Sequence, residues 1–143
     1  MSCIHFIGGE KGGVGKSVVA RLLAQSWIDR QVAWTAYDTD RSHGALLRHY
    51  AGFAQPLEIS RMEDLDALLE AATANDQQVL VDLAAQSEQD LHRWLEAGGV
   101  LELARELGVG VVFWHVMDDA RTPSSCSTGC SRATARTRAM SSC

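Results

Sequence analysis

Gly8-Gly9-Glu10-Lys11-Gly12-Gly13-Val14-Gly15-Lys16-Ser17 is the stretch on which the reading of this chain turns. Glycines at positions 12, 13 and 15 let the backbone take positive φ and turn its N–H groups into one hollow. Lys16 and Ser17 open a helix whose positive end faces the same hollow. Such a hollow is a cradle for a polyphosphate. Backbone donors, the helix dipole, the Lys16 ammonium on the β/γ oxygens and the Ser17 hydroxyl on Mg²⁺ would all converge on it.

The flanks supply the context that this motif requires. Gly15-Lys16-Ser17 supplies the G-K-[ST] end of the P-loop pattern, with Gly8 and Gly9 ahead of it. Before it, Cys3 to Ile7 is an apolar run fit for a buried strand, and after it Val18, Val19, Leu22, Leu23, Ser26 and Trp27 recur at helical spacing as one apolar face. Gln31 to Tyr37 is rich in β-formers and ends at Asp38-Thr39-Asp40. His43 to Tyr50 fits a short helix, and Phe53 to Ile59, with Pro56, reads as loop. Ser60-Arg61-Met62-Glu63 is a capping box leading into Leu65, Leu68 and Leu69. Gln78-Val79-Leu80-Val81-Asp82 is an apolar strand closed by an aspartate, the Walker B arrangement. Ser87 opens a helix with Leu91, Trp94 and Leu95, Gly98-Gly99 interrupts it, Val100 to Leu107 resume, and Val109 to Val116 is a last strand. Four strands alternating with helices predict an α/β fold with a doubly wound, mostly parallel sheet. Ligands of such sheets bind at the carboxyl ends of the strands, where Asp38, Asp40 and Asp82 fall.

Lys11, directly before the Gly-Gly pair, is a second cation that an ordinary P-loop does not need, and a buried lysine calls for an anion. Positions 11 to 17 here resemble the deviant Walker A ATPases of the ParA/MinD group, whose signature is KGGxGK followed by Ser or Thr. The resemblance covers residues 3–40 and, more weakly, 78–83. It implies an ATP- and Mg²⁺-dependent switch protein, an ATP-dependent homodimer, and a Lys11 that reaches across to the partner's phosphates. The run Val81-Asp82-Leu83-Ala84-Ala85-Gln86 and the segment Val111 to Asp119 look like the TraL-type branch of plasmid mobilisation and conjugal-transfer ATPases, with DNA-processing or plasmid-transfer proteins as implied partners. After Asp40 comes Arg41-Ser42-His43 where partition ATPases commonly carry Pro-Gln, a departure from the segregation branch. In the family the fold continues beyond this length, so the resemblance also implies a chain that is truncated or frameshifted.

Phosphoryl transfer needs positioning and charge neutralisation more than covalent help. The candidate nucleotide-binding set is Gly9, Lys11, Gly12, Gly13, Val14, Gly15, Lys16, Ser17 and Val18, the last through its backbone because it stands where many relatives carry Thr. Ser17, Asp38 and Asp82 are the candidate metal residues, Asp82 acting through a water. Lys11, Lys16 and Asp40 are the candidate catalytic residues, and the resemblance gives Asp40 the attacking water. His115 reads as a core or edge histidine, Trp94 and Trp114 as core or interface, and Asp118-Asp119 as loop. Two alternatives stay open: an ATP-dependent ligase or synthase of the same superfamily acting on a small acid, and a fragment without function.

Net charge narrows the partners. The formal charge of −5 over 143 residues divides into an acidic body, residues 1–119 at −9, and a basic tail, residues 120–143 at +4. By bulk charge the body is no nucleic-acid surface. The expected organisation is a nucleotide-binding domain over 1–119 and a low-complexity tail over 120–143, read first as out of frame, otherwise as plainly disordered, as a basic arm that binds nucleic acid, or as a metal tract at Cys126 and Cys130. Cys3 stands apart from the tail cysteines, so free thiols are expected. No run reaches the ~18 apolar residues of a membrane span and the start lacks a signal pattern, so a cytoplasmic location is expected.

Overall fold

In the computed structural model, residues 1–9, 13, 15–40, 44–85 and 87–117 are described. Ten elements follow one another: β1 (Cys3–Gly8), α1 (Lys16–Asp29), β2 (Trp34–Asp38), α2 (Ala45–His49), β3 (Ala54–Pro56), α3 (Met62–Ala74), β4 (Gln78–Asp82), α4 (Glu88–Ala97), α5 (Val100–Glu106) and β5 (Gly110–His115). The strands form one five-stranded sheet in the order β3-β2-β4-β1-β5, and every neighbouring pair is parallel. The α/β class and the winding read from the sequence are those observed.

Period-2 alternation divides each strand between two cores. Ile4 and Phe6 of β1, Tyr37 of β2 and Val79 and Val81 of β4 pack with Leu65, Leu68, Leu91, Trp94 and Ala104 of α3, α4 and α5. Ile7, Trp34, Ala36 and Leu80 pack on the opposite face with Ala20, Ala24 and Trp27 of α1 and Leu46 of α2. The central strands β4 and β1 are thus covered on both faces. Trp94 belongs to the first core, edge-on to Phe6 with ring centroids 6.4 Å apart, its indole N–H donating to Asp66 Oδ1 at 3.1 Å.

Three local expectations are corrected. Ala54–Pro56, expected as loop, is a fifth strand, paired with Ala36 to Asp38 of β2 at the sheet edge, where a proline's missing N–H is tolerated. The capping box at Ser60 does not form: Arg61 is the N-cap without a side-chain bond, and the Ser60 hydroxyl instead donates to Glu58 Oε1 at 3.4 Å. Helix α1 is also rotated from its apolar reading. Ala20, Ala24 and Trp27 face the sheet, while Val18 and Leu22 are 56% and 66% exposed. Alanines let the helix axis approach the strands closely, a demand of packing that outweighs side-chain hydrophobicity.

Candidate functional site

The carboxyl ends of β1, β2 and β4 open into one cleft of about 370 Å³. Gly13, Gly15, Lys16, Ser17 and Val18 form one wall, Asp38, Asp40 and Ala45 a second, and Asp82 with Leu83, Ala84 and Ala85 a third. Of the residues selected from the sequence, these glycines, Lys16, Ser17, Val18 and all three aspartates meet here. Gly9 is buried at the end of β1 and does not line the cleft. Lys11, Gly12 and Val14 lie outside the described residues, as do Asp118, Asp119, Cys126, Cys130 and the whole 120–143 tail.

The glycine wall behaves as the backbone argument requires. Gly13 has φ +84° and Gly15 φ +97°, a region L side chains rarely adopt. Gly15 is the N-cap of α1, and its carbonyl accepts the N–H groups of Val18 and Val19 at 3.0 Å each. Lys16 is therefore the first helical residue, and it is 8% exposed. Its ammonium lowers the pKa of Asp82.

Asp82 and Asp38 are register partners on β4 and β2. Burial pushes the Asp82 carboxyl up to about 6, and the charges of Asp38 and Asp40 push in the same direction, while a hydrogen bond from Ser17 and the charge of Lys16 oppose them. Asp38 is 1% exposed, and burial raises its pKa too, against backbone donors that favour the charge. Those donors define its local work. Oδ1 accepts from Asp40 N at 3.0 Å, Oδ2 accepts from Leu46 N at 3.1 Å, and Leu47 N–H adds a third bond. Asp38 thus organises the turn into α2 and the placement of Asp40, a role that the expectation of a metal residue had not included.

Thr39, between the two aspartates, was not selected from the sequence. Its N–H and its hydroxyl both donate to the Asp82 carbonyl at 3.1 Å, and the hydroxyl accepts from Ala84 N at 2.6 Å. The Asp-Thr-Asp pattern at a strand end was the available signal, since a hydroxyl flanked by aspartates can bond backbone groups on the adjacent strand. Trp114 and His5 pair on the other side of β1: Trp114 Nε1–H donates to His5 Nδ1 at 3.2 Å, and His5 Nε2 meets Gln78 Oε1 at 3.1 Å. His115 lies exposed at the end of the edge strand β5, in keeping with an edge histidine.

The residues fit a magnesium nucleotide. A buried lysine and a positive-φ glycine pair point to an anion, and Ser17 bonded to a carboxylate is a hard-oxygen pair of the kind Mg²⁺ takes when phosphates and waters complete its shell. Among the described residues no group of three or more His, Cys, Asp or Glu could hold a metal ion without a ligand's help. Among those residues no helix is long and apolar enough to cross a membrane.

No family model matches the chain. Two curated proteins of Escherichia coli, both described as Protein TraL, are each 29% identical to it over 122 residues, 82% of this chain and 51% of the relative. The chain thus spans about half the length of the curated relatives it matches. Among solved structures, the APS kinase CysC of Mycobacterium tuberculosis is 18% identical, with 87% of this chain and 80% of that chain covered and a TM-score of 0.45. The sequence similarity is to proteins described as Protein TraL.

Proposed function

We propose that this chain is a nucleotide-binding domain, residues 1–119, of a P-loop switch ATPase of the ParA/MinD type that serves plasmid mobilisation or transfer. The observation that carries the reading is the convergence of Lys16, Ser17, Asp40 and Asp82 on one cleft walled by positive-φ glycines. Lys16 and the loop amides, those of Lys11, Gly12 and Val14 included, would hold the ATP phosphates. Ser17 and Asp82 would hold Mg²⁺, with Asp38 fixing the adjoining turn. A bound Mg²⁺ would supply charge neutralisation on the β/γ oxygens. Asp40 would orient the attacking water, and its backbone bond to Asp38 sets where it stands.

Conjugal transfer as the process is supported by the similarity to Protein TraL. Lys11 in the KGGVGKS stretch supports the two-lysine class, in which a homodimer encloses the nucleotide. The test is ATP-dependent dimerisation and hydrolysis in Lys11→Ala and Lys16→Ala. Loss of dimerisation in Lys11→Ala with nucleotide binding retained is expected. Unchanged dimerisation and hydrolysis in Lys11→Ala, beside abolished binding in Lys16→Ala, would replace this class with an ordinary monomeric P-loop enzyme.

A further inference from the structure

Two carboxylates at the end of β2 must keep a fixed spacing from a third at the end of β4 if all of them are to act on one nucleotide, yet like charges in adjacent strands push apart. The bonds that oppose this separation pass through Thr39. Its backbone N–H donates to the Asp82 carbonyl at 3.1 Å and so continues the ladder between β2 and β4 by one residue. Its hydroxyl does something that the ladder does not. It donates to that same carbonyl at 3.1 Å and accepts from Ala84 N at 2.6 Å, closing a clamp over the turn Asp82-Leu83-Ala84. On the far side Leu83 N–H donates to Ile7 O at 3.0 Å, so β1 and Thr39 hold the turn between them.

We propose that the Thr39 hydroxyl is a positioning group for the nucleotide site, fixing the wall made by Asp82, Leu83 and Ala84 at its distance from Asp40 across the cleft. This rests on the nucleotide reading given above. The chain of contacts is continuous: Ala84 lines the cleft, its N–H is held by Thr39, and the next residue, Asp40, is bonded through its own N–H to Asp38 Oδ1 at 3.0 Å. Removing the hydroxyl leaves the backbone bond and both strands in place but frees the Ala84 N–H. A displacement of about 1 Å at such a site is enough to cost about 10²-fold in rate.

The test compares Thr39→Val, which keeps the shape and loses the hydroxyl, with Thr39→Ser, which keeps the hydroxyl, in the full chain. Amide exchange of Ala84 is followed by NMR without nucleotide, and turnover and affinity are measured with Mg-ATP. Thr39→Val should exchange Ala84 faster and lose about tenfold or more in kcat with Kd kept within about threefold, while Thr39→Ser should match the wild type in all three. Unchanged kcat and Ala84 exchange in Thr39→Val would overturn the inference. So would a Thr39→Ser that loses turnover and Ala84 protection, and that arm decides should Thr39→Val fail to fold. A wild type that does not bind Mg-ATP is a failure of the nucleotide reading, whereas a wild type that binds and turns over beside an unaltered Thr39→Val is a failure of this inference alone.

Discussion

Asp38 and Asp82 stand opposite one another on adjacent parallel strands, and both turn toward the sheet face that α1 and α2 cover, Asp38 onto the Leu46 N–H and Asp82 onto Ser17. Two buried carboxylates so placed are held at a cost to stability, because each is ionised in water more easily than in the fold.

Asp82→Asn should therefore stabilise the protein without nucleotide. The folded pKa of about 6 lies above the unfolded value of 3.8, so the ionised carboxyl disfavours folding at neutral pH. An amide carries no such penalty. The gain should be about 1–3 kcal/mol at pH 7–8, should shrink as pH falls through 6, and should vanish below about 4, where both states of the wild type are protonated. Urea titrations of both proteins across that range check it.

Nucleotide binding should show the opposite sensitivity to acid. A protonated Asp82 cannot serve a magnesium ion, so Mg-ATP affinity should fall as pH drops below about 6, approaching about tenfold per pH unit. Asp82→Asn should bind weakly and without that pH dependence. Calorimetric titration at pH 5, 6 and 7 is the measurement.

Asp38 and Gly44 form a second, structural test. A Cβ on Gly44 would lie 2.8 Å from Asp38 Oδ2 and 2.8 Å from the Asp40 carbonyl, and backbone cannot swing aside as a side-chain tip can. Gly44→Ala should lose about 1–3 kcal/mol of stability. Asp38→Ala should lose about 2 kcal/mol or more, because the N–H groups of Asp40, Leu46 and Leu47 lose their acceptor. Thermal melts of the two variants beside the wild type are the measurement.

His5 should set an acid limb of stability. Its Nδ1 accepts the Trp114 indole N–H, so the proton sits on Nε2 toward Gln78, and burial lowers its pKa below 6.5. A histidine with a depressed folded pKa stabilises above the unfolded value and loses that contribution as pH falls below about 6.5. Protonation would set two donors against each other at Trp114. Stability should fall below about pH 6.5, tryptophan emission should step at the lower pH where folded His5 takes up its proton, and His5→Gln should remove that step.

The sequence made the sheet legible because its central strands are short apolar runs, each closed by glycine or aspartate, and buried parallel strands leave that mark. Lys16, Ser17, Asp38, Asp40 and Asp82 could be selected for the same reason: they lie where those runs stop. What escaped depended on partners distant in the chain. Ala54–Pro56 forms a strand only because β2 offers an edge. The burial of Ala20 and Ala24 in place of Val18 and Leu22 follows from how closely α1 approaches the sheet, which apolar periodicity does not encode. Ser60 carries a cap signature, but Glu58 takes its hydroxyl. Thr39 looked like a spacer between two carboxylates until the backbone of residues 82–84 was in place beside it.

The central claim is that the cleft holds a magnesium nucleotide through Lys16, and the melting temperature with and without Mg-ATP tests it most directly. At about 100 times Kd the wild type should gain about 2.7 kcal/mol, seen as a clear upward shift, while Lys16→Ala should show none. A wild-type melting temperature unmoved by saturating Mg-ATP, or an equal shift in Lys16→Ala, would contradict it.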